Sequence, residues 1–234
     1  MLPLRDNVPT RTFPVVTVGI IVVNVLVWLW QVTGTPVDTD VIHYGYYPCK
    51  LDGPCIGDAH QAQIPWYASI FTSMFMHGGW AHIGFNMLFL WIFGNNVEDA
   101  LGKVRFLLWY LAGGLAATAA QTVVTLTAGS TADASIPNIG ASGAIAAVLG
   151  AYIVLLPNAR VLTAIFFFLI FFQELPAVLF IGIWFAIQLW QGGFSLVQPD
   201  PGGGVAFFAH IGGFVFGVLT VHLVETRPPL RPAY

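Results

Sequence analysis

The sequence predicts an all-α membrane protein, a polytopic bundle of six transmembrane helices. Three observations predict it. Apolar residues make up 57 % of the 234 and charged residues only 8 %, against about 25 % charged in a soluble domain; the mean hydropathy is +0.77. Six apolar runs are long enough to cross a bilayer, which takes roughly 17–20 residues. Threaded as six spans, these runs put seven of the eight Lys and Arg residues on one side. That is the positive-inside pattern.

In chain order, residues 1–14 combine prolines with mixed charge and read as a short cytoplasmic tail. They do not read as a cleaved signal, because no small-residue cleavage site follows the first apolar run. The first span runs from about Val15 to Val32. A long outer loop, 33–69, follows; its stretch IPWYASIF is expected at the membrane interface. The loop carries Cys49 and Cys55 in CKLDGPC. In an oxidising exterior these can form a local disulfide or remain two thiols, and the sequence leaves both open. Two cysteines are a poor structural zinc site, which wants four ligands.

The second span runs from about Gly79 to Val97, the third from Phe106 to Thr127 and the fourth from Ala141 to Leu156. Between the last two lies the outer loop STADASIPN (130–138). The stretch Val161 to Gln191 is too long for one simple span and contains Glu174 and Pro176. Pro176 to Gln191 is read as the fifth helix, with Val161 to Phe172 a re-entrant or interfacial entry. Two separate spans here would make seven and place Arg227 and Arg231 outside, so six are preferred. QPDPGGG (198–204) is the outer loop before the sixth span, Gly204 to Val224, and 225–234 is a cytoplasmic tail. The domain is therefore 15–224, with both termini cytoplasmic. The net charge of −3 is small and says nothing about nucleic acid; with no basic patch with interleaved aromatics, no nucleic-acid partner is expected.

Polar residues inside spans are costly and mark candidate sites. His77 lies just before the second span. His82 and Asn86 lie within it, Ser142 opens the fourth, and His210 lies in the sixth; Asn24, Gln121 and His222 are further polar residues. Spans two, four and six run from outside to inside. At 1.5 Å per residue, His82, Ser142 and His210 share a depth roughly 5–10 Å below the outer surface. His82 and Asn86, four apart, share a helix face. His77 and His82, five apart, are read as facing differently, which argues against a metal pair; no cofactor or metal is expected.

Each residue has a plain alternative. A serine among small residues is commonly a packing residue, a span histidine a satisfied core residue or part of an ion path, and Asn86 a bond to a neighbouring helix. The conjunction favours acyl-transfer chemistry, which needs a nucleophile, a base within reach and oxyanion donors. Ser142 supplies the nucleophile at a helix N-terminus, between Gly140–Ala141 and Gly143, where a backbone and a substrate can approach. His210, in AHIGGFVFG, supplies the base, with Gly212, Gly213 and Gly217 leaving room for the fourth helix. His82 and Asn86 supply donors. With no Asp to orient His210, the pair is a dyad.

These residues resemble those of the rhomboid family of intramembrane serine proteases, from the first span to about Val224. FMHGGWAHIGFNMLFLWIFGNNVED is similar to the family's second-helix motif ending in H-x3-N, here His82 and Asn86. GASG at 140–143 matches the nucleophile motif with Ser142, AHIGGFVFG the sixth-helix motif with His210, and LGKVRFLLWY also has the family's look. The resemblance implies a six-helix, rhomboid-like core whose site opens outward. It implies an endopeptidase that cuts single-pass transmembrane proteins in the lipid bilayer near the outer face. The oxyanion would be held by His82, Asn86 and the Ser142 backbone, with Gly140 and Ala141 lining the substrate site. It also implies a bacterial inner (plasma) membrane. The sequence departs from the family in two places. No Trp-Arg pair precedes FTSMFMH, although Trp66 and Tyr67 are near. Ala146 stands one turn after the serine, where some members place a Tyr beneath the histidine, so the support of the His210 ring is left open. The fifth helix, rich in Phe and Trp, is the candidate lateral gate. Oligomeric state and the natural substrate are not legible.

Overall fold

The computed structural model describes residues 1–197 and 206–230. The loop expected at 198–204 lies outside the described residues. The chain is mostly helical, as composition requires. Every backbone N–H and C=O that enters a bilayer must be bonded within its own segment or a closed barrel. Four helices are long and apolar enough to cross a membrane by length and composition. Two further helical elements complete six, and each differs from a plain span.

Strand β1 (Leu2–Asp6) precedes helix α1 (Val15–Thr33). The stretch after α1, expected as a long outer loop, is built rather than open. It holds α2 (Val37–Tyr44), single 3₁₀ turns at Pro48–Lys50 and Gly57–Gln61, α3 (Trp66–Thr72) and a third turn at Ser73–Phe75. Cys49 and Cys55 are joined in a disulfide with Cα atoms 5.2 Å apart. Tyr47, Cys49, Ala59 and Ala134 form a small core of their own. Tyr46 ties this region to the bundle through an antiparallel bridge to Asn138 and a 3.0 Å hydroxyl contact with Thr122.

The second span is α4 (Trp80–Phe89), a π segment (Leu90–Gly94) and α5 (Asn95–Leu101), continuous in direction. π segments inside helices are rare and often adjoin functional sites. Here the wide turn presents Phe93, whose ring meets Tyr152 at 5.0 Å and Phe180 at 6.2 Å. Helix α6 (Lys103–Ala128) is the third span, and α7 (Thr131–Ala134) is one turn closed by a Ser130–Asp133 capping box.

Helix α8 (Ser142–Leu155) is the centre of the bundle. Residues 143–152 are all buried, as expected of a helix apolar on every face. Its 14 residues span about 21 Å, against a hydrocarbon thickness of about 30 Å. A helix this short cannot reach both surfaces, so at least one of its ends lies within the bilayer.

The stretch after α8 departs from the sequence expectation. It is neither re-entrant nor a span but a hairpin, β2 (Arg160–Phe167) and β3 (Leu169–Pro176). Its register runs from Arg160 opposite Pro176 to Phe167 opposite Leu169. Residues 2–6, expected in a tail, add β1 antiparallel to β2, with Leu2 opposite Ala164 and Asp6 opposite Val161. β-Branched and aromatic residues at 161–172 suit a strand; the apolar run alone hides the period, because both faces are apolar. The hairpin returns the chain to the end where it began, so helix α9 (Ala177–Val197) is the single crossing in this region. Helix α10 (Phe207–Val224) follows.

Glycine makes the α8–α10 contact possible. A Cβ on Gly213 would meet the Gly143 carbonyl, one on Gly217 the Ala147 carbonyl, and one on Gly150 the Phe214 carbonyl. Gly212, expected to face the fourth helix, instead packs on α6, against Ala120 and the Ala116 carbonyl.

Candidate active site

Ser142 is the first residue of α8. The first-turn N–H groups of a helix have no intrahelical acceptor, and Ala141 caps this end with no side-chain bond. The N–H groups at Ser142 and Gly143 are therefore available to an anion. The turn leading in requires glycine: Gly140 has φ +109°, a conformation that disfavours a Cβ. Its N–H donates to the Ser73 carbonyl at 2.8 Å.

His210 comes from α10, one turn before Gly213. The tight α8–α10 packing brings its Nε2 to 2.7 Å from Ser142 Oγ. The ring is buried and Ser142 half-buried. What holds the ring was not read from the sequence, and α9 supplies it. His210 Nδ1 lies 2.7 Å from Gln188 Oε1, and the Trp184 ring packs on the imidazole at 5.7 Å between centroids. Trp184 and Gln188 are four apart and share a face. The signal for Gln188 was an amide in an apolar span. Its partner could not be known without the helix packing.

The third side of the site is the entry to α4. A Cβ on Gly140 would lie 2.6 Å from His82 Nε2, so the bare glycine leaves the imidazole its place. The Gly78 N–H points at His82 Nδ1 at 3.4 Å. That leaves Nε2 as the protonated nitrogen, facing the serine turn. The sequence expectation that His77 and His82 face differently fails: their rings are 5.0 Å apart, edge to face. The helical spacing rule does not apply to them, because α4 begins only at Trp80. His77 is fully buried and serves Asn86. Its Nδ1–H donates to the Phe75 carbonyl at 3.3 Å, so its Nε2 accepts from Asn86 Nδ2 at 3.0 Å. The His77 backbone is clasped in turn by the Gln31 amide, at 3.0 and 3.1 Å.

The structure thus brings Ser142, His210, Gly140, Ala141, His82 and Asn86 to one place and adds Gln188, Trp184 and His77. A cavity of about 40 Å³ opens beside the serine, lined by Ser73, Thr118, Gln121, Gly140 and Ser142 among others; it has room for a water molecule or two. Among the described residues no group of three or more His, Cys, Asp or Glu side chains could hold a metal. Chemically the arrangement pairs a hydroxyl with an imidazole acceptor and points backbone and side-chain donors toward the space beside it.

Residues 65–226 match the family described as Rhomboid domain. The chain is 33 % identical over 157 residues to Rhomboid protease GluP of Bacillus subtilis, covering 67 % of this chain and 25 % of that protein. It is 31 % identical over 156 residues to the mitochondrial Rhomboid protein 1 of Saccharomyces cerevisiae, covering 64 % and 40 %. It is 29 % identical over 207 residues to the human mitochondrial presenilin-associated rhomboid-like protein, covering 86 % and 46 %. The chain therefore spans less than half the length of each of these relatives.

Proposed function

This chain belongs to the rhomboid family, and from that premise we propose that it is a serine endopeptidase that hydrolyses transmembrane proteins within the bilayer, with Ser142 as nucleophile and His210 as general base. The observation that carries the proposal is the 2.7 Å contact between Ser142 Oγ and His210 Nε2. Kinship to a protein named a rhomboid protease supports it.

His210 Nε2 takes the proton of Ser142 Oγ as the oxygen attacks the scissile carbonyl carbon. The carbonyl oxygen becomes an oxyanion, met by the Ser142 backbone N–H, His82 Nε2–H and the Asn86 amide. When the C–N bond breaks, His210 Nε2–H returns its proton to the leaving amine. A water then attacks the Ser142 ester with His210 again as base, releasing the carboxylate product and restoring the hydroxyl. Gly140 and Ala141 line the approach of the substrate backbone. A substrate helix has its carbonyls bonded internally, so it must unwind first. Substrates with Gly, Pro or small residues near the cut are favoured.

The site is assigned to the outer face. A short α8 supports a Ser142 set below one surface, the disulfide-bearing 33–69 region bridges to Asn138 beside the serine turn, and disulfides persist in oxidising compartments. The basic residues cluster at the other end, which supports a cytoplasmic reading of both termini. Single-pass membrane proteins in a bacterial inner membrane are the proposed substrates.

The test is cleavage of a panel of model transmembrane helices in liposomes. Ser142→Ala and His210→Ala should each lose on the order of 10⁴–10⁶-fold in kcat while keeping their helical content. A fluorophosphonate should label Ser142 in the wild-type protein. Full activity in Ser142→Ala would overturn the mechanism.

A further inference from the structure

We infer that Gln188 is the positioning residue of the site: its amide oxygen holds His210 in the one tautomer that can accept the serine proton. The inference rests on the reading of Ser142 and His210 as nucleophile and base.

The orientation of an amide decides which tautomer an imidazole adopts. If the Gln188 NH₂ faced His210, Nδ1 would accept and Nε2 would carry the proton. Nε2 could then only donate to Ser142, and the hydroxyl would meet no base. The helix fixes the opposite arrangement. Gln188 Nε2 lies 3.5 Å from the carbonyl of Trp184, one turn back on α9. That carbonyl only accepts, so the NH₂ end of the amide belongs there and Oε1 is the end presented to the imidazole. Oε1 only accepts, so the 2.7 Å contact with Nδ1 requires Nδ1–H. Nε2 is left with its lone pair toward Ser142 Oγ, 2.7 Å away on the other side of the ring.

Burial makes the constraint strict. Gln188 and His210 are both buried, so neither can exchange its partner for water without cost. Trp184 lies beside the imidazole, with centroids 5.7 Å apart and planes inclined at 37°, and limits how far the ring can tilt. The same helix face thus supplies both restraints: Gln188 fixes the proton and Trp184 limits the tilt. Ala146, one turn after the serine, cannot hold the ring from below, and the support comes from α9 instead.

Two variants separate an acceptor from a packing role. Gln188→Met keeps length and removes the acceptor; Gln188→Glu keeps an acceptor at the same reach. Both are measured, beside wild type and Ser142→Ala, for cleavage of a transmembrane reporter in liposomes and for the rate at which a fluorophosphonate labels Ser142. Gln188→Met is expected to lower kcat and the labelling rate about 10- to 100-fold, a loss of the size seen when the outer hydrogen-bond partner of a metal-bound imidazole is removed, with KM nearly unchanged. Gln188→Glu is expected to restore most of both. Wild-type kcat in Gln188→Met, equal loss in both variants, or a change confined to KM would each overturn the assignment. If Ser142→Ala is inactive while Gln188→Met is fully active, the dyad stands and only the role of Gln188 fails. If Ser142→Ala remains active, the dyad itself fails.

Discussion

Gly140 combines two constraints in one residue. Its φ of +109° disfavours any Cβ, and a Cβ there would strike His82 Nε2. Gly140→Ala should therefore displace the His82 donor and distort the serine turn. The expected loss is about 10²-fold or more in kcat/KM, with the Ser142–His210 pair still labelled, slowly, by a fluorophosphonate. His77 acts at one remove. With its Nε2 gone in His77→Ala, the Asn86 amide loses the acceptor that aims it. Activity should fall no further than in Asn86→Ala, and the double variant should be no worse than the worse single one; steady-state rates of the three check this. Ser142, His210, His82 and Asn86 were legible in the sequence because each is a polar group in an apolar span, and a shared depth can be counted along helices. Gln188 has the same signature, but its meaning depends on which helix faces it, which no spacing reveals. His77 was misjudged because the wheel of a helix was extended back to a residue that precedes it.

At the scale of elements, α8 and α10 meet backbone to backbone. Gly213 and Gly217 on one helix lie against the Gly143 and Ala147 carbonyls on the other, and Gly150 lies against the Phe214 carbonyl. Gly217→Ala should destabilise the bundle by about 1–3 kcal/mol, the usual result of overpacking a tight contact, and also reduce cleavage by moving His210 from Ser142. Thermal unfolding in detergent, read beside activity, checks both. This packing was legible from the small residues of AHIGGFVFG and IGASGAIAAVLG; the exception, Gly212, faces α6. The hairpin of β2 and β3 was not legible as a hairpin. Ile170, Phe171 and Phe172 are exposed, and β3 is an edge strand whose outer backbone groups need water. Such an edge is excluded from the hydrocarbon core, while a cluster of exposed aromatics is poorly placed in bulk water. The two demands meet at the interface. Both native cysteines are in the disulfide, so Ile170→Cys provides a unique thiol for a nitroxide. In liposomes that label should collide more with oxygen than with an aqueous nickel complex; the reverse order would place the hairpin in water.

Across the whole molecule, the end opposite the serine is closed by carboxylates that join distant parts of the chain. Asp99 accepts from Arg11 at 2.9 Å and has Arg227 3.8 Å away. Glu98 accepts from the N–H groups of Val16 and Thr17 at 3.1 and 2.7 Å. It thereby caps α1 from outside, because Pro14 offers no side-chain cap. Asp99→Asn should cost about 1–2 kcal/mol, since charge-assisted bonds are lost but the arginines remain partly in water. Chemical or thermal unfolding in micelles measures it. Asp6 binds the Tyr152 hydroxyl and the Asn96 amide, each at 2.6 Å. Burial outweighs these bonds and pushes its carboxyl up from 3.8 to about 6. Between those values the folded protein holds a proton that the unfolded chain has released. Asp6 therefore favours folding fully below pH 3.8, and that contribution is lost as the pH rises through about 6. Unfolding midpoints of wild type and Asp6→Asn, compared at acidic and neutral pH, should diverge in that direction, with the variant gaining on wild type as the pH rises.

The pairing of Leu2 with Ala164 also fixes an order in time. A ribosome adds about 5–20 residues per second, so the first strand is made about 10–30 s before its partner. Throughout that interval the first span can enter the membrane with residues 2–6 unpaired. The three-stranded sheet closes only when the nascent chain has nearly reached α9.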